Sequence, residues 1–176
     1  GATNNTVTIT AEKNATANVT LENVNIDTGT TGGAAITTSG EGNVNIELDG
    51  TNTVQSGNTH AGVEKKDNGT LTITDENKDG SLTANGGGVG GAGIGGGYGG
   101  SGSNITIEGG EVTAQGDAGG AGIGGGISGT GSDVTISGDA QVKVQGGRAN
   151  ENWHKGAAIG NGGTSTTDGN EVSPNT

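Results

Sequence analysis

The sequence predicts an all-β fold, and three observations lead to this prediction. Short segments recur about 29 residues apart: residues 91–97 recur as 120–126, and residues 104–109 recur as 133–138. Within these segments apolar and polar residues alternate, as in strands with one buried face. Glycine accounts for 42 of the 176 residues and separates the strands, and no segment has a helical period. We therefore expect a right-handed parallel β-helix (β-solenoid) of about five coils of roughly 29 residues, with three short strands each.

Each coil is predicted to place its apolar residues against those of the next coil, about 4.8 Å away. The first-strand copies begin at Val19, Val44, Leu71, Ile105 and Val134. The second-strand copies centre on Val24, Val54, Leu82, Val112 and Val142. The third-strand copies contain Ile36, Val63, Ile94, Ile123 and Ile159. Residues 6–10 are interpreted as part of an opening coil.

The repeats predict a single β-helix domain over residues 1–172. Within it, residues 1–18 are expected to form a partial coil and N-terminal cap, and 160–172 a C-terminal cap, because the end strands of a solenoid expose unpaired edges. The spacing of the third-strand copies widens near the C-terminus, so residues 147–156 are predicted to be an insertion. The Ser-Pro-Asn-Thr segment at 173–176 is expected to be a linker.

The charge and composition exclude several classes of ligand and of scaffold. The formal net charge is -12, which makes nucleic acid an unsuitable ligand because phosphate backbones attract basic surfaces. No apolar run approaches the roughly 20 residues that span a bilayer, so no membrane insertion is expected. The chain has no Cys, which excludes disulfide and zinc-thiolate scaffolds.

The repeat unit also resembles known proteins. Its Val-Thr-Ile strand at 134–136 and the Gly-Ala-Gly-Ile-Gly-Gly-Gly segment at 120–126 resemble β-helical repeat regions of Gram-positive secreted and cell-surface proteins. The pattern at 34–36, 44–52 and 69–73 is similar to that of calcium-containing β-helix carbohydrate-binding domains, which recognise acidic polysaccharides. This resemblance covers roughly residues 19–163. It implies a secreted or cell-surface bacterial protein, a polysaccharide or glycan ligand, and calcium as a cofactor.

One segment matches the start of a calcium-binding loop. Asp75, Asn77 and Asp79 place oxygen side chains at alternate positions, and the carbonyl of Ser81 can add a ligand. Loops of this type end in a bidentate Glu at position twelve, where this chain has Gly86. The alternative interpretation is a polar turn between two strands.

The insertion is the predicted ligand-binding segment. It contains Arg148, the only Arg, and Trp153, the only Trp, together with His154 and Lys155. Aromatic rings stack on the C–H faces of sugars, and charged groups bind hydroxyls or a uronate carboxylate. The alternative is that Trp153 folds over the terminal coil and caps the core.

The remaining candidates favour structural roles. Tyr98 occupies the position of Ile127 in the next coil, which predicts packing, and His60 is expected to lie in a solvated turn. We find no paired carboxylates of the kind that a polysaccharide lyase or hydrolase needs, so no catalytic residue is nominated. The expected function is a non-catalytic carbohydrate-binding or adhesin module. The alternative is a structural stalk or spacer, and self-association stays open.

Overall fold

The computed structural model describes residues 1–176, which form an all-β solenoid of three parallel sheets. The first sheet contains β1 (Val7–Ala11), β4 (Ile36–Gly40), β7 (Val63–Lys65), β10 (Ile94–Gly95), β13 (Ile123–Gly124) and β16 (Ile159–Gly160). The second contains β2 (Thr16–Glu22), β5 (Asn43–Asp49), β8 (Leu71–Thr74), β11 (Gly102–Ile107) and β14 (Gly131–Ile136). The third contains β3 (Asn25–Asp27), β6 (Thr51–Gln55), β9 (Ser81–Asn85), β12 (Glu111–Gln115) and β15 (Gln141–Gln145).

The chain passes through the three sheets in turn, and each strand pairs with its equivalent one coil along. This confirms the predicted coil of about 29 residues: Ile94 pairs with Ile123, and Ile105 with Val134. Apolar residues from all three sheets form one core cluster of 23 buried residues. The structure contains no helix of the length and hydropathy needed to cross a membrane.

The predicted third-strand positions pair as expected, but two other predicted positions are displaced by two residues. Ala17, and not Val19, pairs with Val44 in the second sheet. In the third sheet Asn52, and not Val54, pairs with Leu82. A displacement of two residues keeps the same side chains facing the core, because side chains alternate with a period of two. Hydrophobic alternation alone therefore could not distinguish the two registers.

Asn52 is a polar residue in an otherwise apolar position, and it is fully buried. Its Oδ1 accepts a hydrogen bond from the backbone N–H of Val24 at 2.8 Å. Its Nδ2 donates to the carbonyl oxygens of Leu21 at 3.1 Å and Ser81 at 3.2 Å. Asn52 thus links three successive coils where the backbone turns between the second and third sheets, and its polar atoms are satisfied as burial requires.

The first sheet narrows to two-residue strands in its last three coils. Gly95, Gly124 and Gly160 lie directly above one another there, with φ angles of +135°, +136° and +137°. A side chain at Gly95 or Gly124 would overlap the backbone of the next coil. Glycine is therefore required at these positions both by the backbone conformation and by the close stacking of the coils.

The two ends of the solenoid are covered by different segments. At the N-terminal end, the backbone of Thr3 bonds to that of Asn25 and Asp27 along β3. At the C-terminal end, Glu171 pairs with Gly160 of β16. Asn175, which lies in the segment predicted as a linker, pairs with Thr135 of β14. These contacts protect strand edges that would otherwise be open to other chains.

Candidate functional site

Two concave surfaces of about 550 Å³ each lie on the molecule, and one of them is a groove along the end of the third sheet. Its wall is formed by four amide side chains at equivalent positions of four successive coils. These are Gln55, Asn85, Gln115 and Gln145. Its floor contains Gly86, Gly116 and Gly146, and Asp117 and Arg148 also line it. We call this surface the amide groove.

The amide side chains repeat at the spacing of neighbouring strands, about 4.8 Å. Gln55 donates hydrogen bonds from its amide nitrogen to the carbonyl oxygens of Ser56 at 3.0 Å and Gly86 at 3.2 Å. Gln115 and Gln145, farther along the groove, are exposed to solvent. An amide offers both donors and an acceptor. The groove therefore presents complete amide groups at regular intervals at Asn85, Gln115 and Gln145, whereas Gln55 uses both amide hydrogens within the protein and offers only its oxygen.

The predicted insertion forms a loop at one end of this groove. The backbone N–H of Gly156 bonds to the carbonyl of Gly147 at 3.0 Å and closes the base of the loop. Near the tip, Oδ1 of Asn150 accepts hydrogen bonds from the N–H groups of Asn152 and Trp153, both at 2.9 Å. These bonds fix the loop so that Arg148 lines the amide groove.

Trp153 lies away from the amide groove and packs on Tyr98. The two rings meet edge to face, with centroids 5.6 Å apart and an interplanar angle of 85°. Trp153 is half-buried and does not belong to the side chains packed against the core cluster. The chain's only Trp and only Tyr thus form one aromatic pair on the surface.

The other two predicted ligand-binding residues lie on a third part of the insertion. His154 Nδ1 is 3.3 Å from Oδ1 of Asp168, and Lys155 Nζ is 3.9 Å from the other oxygen of the same carboxylate. All three side chains are exposed. The structure therefore does not gather Arg148, Trp153, His154 and Lys155 into one site, and only Arg148 lines the amide groove.

The predicted calcium loop is a turn whose acidic groups bind within the protein. Both carboxylate oxygens of Asp75 accept backbone hydrogen bonds, from the N–H groups of Asp79 at 3.2 Å and Gly80 at 3.0 Å. Lys78 lies between these residues and its Nζ is 2.9 Å from Asp139. This contact raises the pKa of Lys78 and lowers that of Asp139.

The acidic side chains of this turn are too few to hold a calcium ion by themselves, so Asn77 and the carbonyl of Ser81 would have to add ligands. No group of three or more His, Cys, Asp or Glu side chains is placed to hold a metal ion. Asn77 and Asp79 are exposed, and Ser81 begins β9. Calcium binding by Asp75, Asn77, Asp79 and Ser81 stays a prediction, and the backbone bonds of Asp75 do not oppose it, because each oxygen of an ionised carboxylate has a second acceptor site.

We expect Asp75→Ala to lower the free energy of unfolding by about 1 kcal/mol, because two backbone N–H groups lose a charged acceptor at a partly exposed turn. The matched control is Asn77→Ala, on the same turn but exposed, which should change stability by less than about 0.5 kcal/mol. Urea denaturation in calcium and in a chelator measures both effects. If calcium stabilised the wild type and Asp75→Ala removed that gain, the loop would be a calcium site.

Two clusters of charged side chains lie in and just after β7, where the chain lacks the glycine-rich segment of the later coils. Glu64 pairs with Gly95 of β10, and Lys65 and Asp67 follow it at the turn toward β8. The side chains of Lys65 and Asp67 are 4% and 0% exposed, and their charged groups are 3.5 Å apart. Thr38 donates a short hydrogen bond to Oδ1 of Asp67, while Oδ2 has no hydrogen-bond partner. Burial lowers the pKa of Lys65, and Asp67 opposes that shift.

The second cluster centres on Glu64, whose side chain is 4% exposed. Both its carboxylate oxygens lie 3.1 Å from His60 Nδ1. The backbone N–H of Ala61 donates to Oε1 at 3.3 Å, and Lys66 Nζ is 3.3 Å from Oε2. His60 is thus an oriented, half-buried residue, whereas the sequence predicted a solvated turn histidine.

Three features of the molecule differ from what the sequence predicts or were not predicted from it. Tyr98 was expected to pack like Ile127, but Ile127 is fully buried whereas Tyr98 is 48% exposed. The buried Glu64 was not singled out, although the Glu-Lys-Lys-Asp segment replaces glycines of the later coils and signals a local difference. The amide groove was missed because Gln and Asn occur at the outer ends of strands, where solvated residues are common.

Comparison with protein-family models, with curated proteins and with solved structures found no match to this chain.

Proposed function

We propose that this protein is a non-catalytic carbohydrate-binding module of a secreted or cell-surface bacterial protein, and that a polysaccharide chain lies along the amide groove. The observation that carries the proposal is the register of Gln55, Asn85, Gln115 and Gln145. A polysaccharide repeats its hydroxyl groups along the chain, so successive sugar units can each contact the amide side chain of one coil. Amides both donate to and accept from hydroxyl groups, so the groove has the chemistry that sugars need.

The size and charge of the groove also support a polysaccharide. Its volume of about 550 Å³ is within the range of small-molecule sites, roughly 300–1,000 Å³. Only two of its twelve lining residues are hydrophobic, which suits a hydrated polymer better than an apolar ligand. Arg148 supplies a planar cation that binds a carboxylate through two parallel hydrogen bonds, so the groove favours polysaccharides that contain uronic acids.

The test is binding to an array of neutral and acidic polysaccharides, read in calcium and again in a chelator, followed by titration of the best ligand. We expect Arg148→Ala to weaken binding to uronate polymers by about tenfold, the loss of one charge-assisted bond. Gln115→Ala and Gln145→Ala each remove one neutral bond and should weaken binding by about threefold to tenfold.

The matched control is Gln141→Ala. Gln141 and Gln145 lie at opposite ends of β15 and both are exposed, but Gln141 faces the Asp75 turn and not the groove. We expect Gln141→Ala to bind like the wild type. If no polysaccharide of the array binds, the structural spacer is favoured instead. If Gln141→Ala and Gln145→Ala weaken binding equally, binding in the groove is contradicted. Calcium-dependent binding would implicate the Asp75 turn as well.

A further inference from the structure

We propose that the aromatic pair forms part of a second sugar-binding site, at which a single pyranose ring stacks on Tyr98. Tyr98, His60, Glu64 and Lys66 line a cavity of about 210 Å³ on the first-sheet side of the molecule. None of them lines the amide groove. The proposal therefore does not require that the groove binds a polysaccharide.

The first argument concerns exposure of the ring. Tyr98 is the one large hydrophobic side chain of the chain that is exposed, at 48%. Its backbone N–H bonds to the carbonyl of Thr59 at 2.7 Å, and the edge-to-face contact with Trp153 supports the ring. The exposed part of the ring is available to pack against an apolar surface of a ligand.

The second argument concerns the polar groups beside the ring. Because Nδ1 of His60 contacts the Glu64 carboxylate, its Nε2 is the ring nitrogen left for a ligand. Lys66 Nζ contacts the same carboxylate, yet its side chain is 59% exposed and retains free donors. The Glu64 carboxylate therefore orients His60 at the cavity and leaves donors of Lys66 accessible there.

The charges at the cavity indicate a neutral ligand. Glu64 is paired with Lys66, and Lys65, which also lines the cavity, is paired with Asp67, so no cation is left without a partner to attract an anion. The volume is below the roughly 300–1,000 Å³ of sites for drug-sized molecules, which indicates one ring and not a polymer. An apolar ring face bordered by two hydrogen-bonding groups matches a neutral hexose or N-acetylhexosamine.

The test uses glucose, galactose and N-acetylglucosamine as probes at millimolar concentrations, with two readouts. Trp153 is the only Trp, so its fluorescence reports on Tyr98, and the chain has only two His residues, so the ring signals of His60 can be followed by NMR. We expect at least one sugar to change both signals. Tyr98→Ala and His60→Ala should each weaken its binding by about tenfold, whereas Tyr98→Phe should retain most of it.

The controls separate this site from the groove. Arg148→Ala should bind the monosaccharide like the wild type, and Tyr98→Ala should bind the array polysaccharide like the wild type. Tyr98→Ala loses the edge-to-face contact with Trp153, so it should lower the free energy of unfolding by about 1 kcal/mol, and thermal unfolding checks that the variant stays folded during the titration. The proposal is overturned if none of the sugars moves the His60 signals, or if Tyr98→Ala binds the sugar as tightly as the wild type.

Discussion

Gly124→Ala is expected to lower the free energy of unfolding by more than about 3 kcal/mol. At φ +136° an L-residue is strained, and a Cβ at this position would overlap the carbonyl oxygen of Gly160 in the next coil. The overlap is with the backbone of the next coil, so rotating a side chain cannot relieve it and the two coils would have to separate. Since each strand of a solenoid is held by its neighbours, the damage should spread to β10 and β16.

Gly99→Ala is the matched control for this prediction. Gly99 also has a positive φ, +71°, but a Cβ there would meet nothing within 4 Å. Its substitution should cost about 1–2 kcal/mol, the penalty of a left-handed residue alone. Urea denaturation followed by circular dichroism measures both variants. Equal losses for Gly99→Ala and Gly124→Ala would show that close coil stacking is not what requires glycine at position 124.

Lys65→Met is expected to lower the free energy of unfolding by about 3–5 kcal/mol, although methionine fits the same space. The reason is that Asp67, whose side chain is 0% exposed, would keep a buried charge with no cation beside it. The ion pair itself contributes little net stability, because both groups lose their hydration on folding.

The double variant Lys65→Met/Asp67→Leu separates the cost of an unpaired buried charge from the net contribution of the ion pair. Removing both charges should restore most of the lost stability, within about 1–2 kcal/mol of the wild type, because no charge is then left unpaired. Denaturation of the two single variants and the double variant gives the coupling directly. Additive losses in the double variant would mean that packing, and not the unpaired charge, determines the effect.

The coil architecture could be predicted from the sequence because its cause is local and repeated. Alternation at Ile105–Ile107 and its copy at Val134–Ile136 defines strands that face one core, and the 29-residue spacing places them in register. The predicted register was displaced at Val19, where Ala17 continues the same alternation, and at Val54, where a buried Asn52 takes an otherwise apolar position. There a hydrogen-bond network satisfies the polar side chain, and hydrophobic patterning contains no information about such bonds.

The site could be predicted only in part, because its residues come together through stacking of distant coils. Arg148 was identified from the insertion that interrupts the repeat, and the structure places it in the groove. Its amide partners come from four different coils and looked like ordinary solvated positions. Tyr98 and Trp153 are far apart in sequence, and only the folded coils bring their rings together.

Polysaccharide binding in the amide groove is tested most directly by NMR of the side-chain amide groups during titration with an acidic oligosaccharide chosen from the array. We expect the NH2 signals of Asn85, Gln115 and Gln145 to shift together and saturate at one ligand concentration, while that of Gln141 stays in place. If the oligosaccharide binds and these three signals do not move, the amide groove is not the binding surface and the proposed function of this site is wrong.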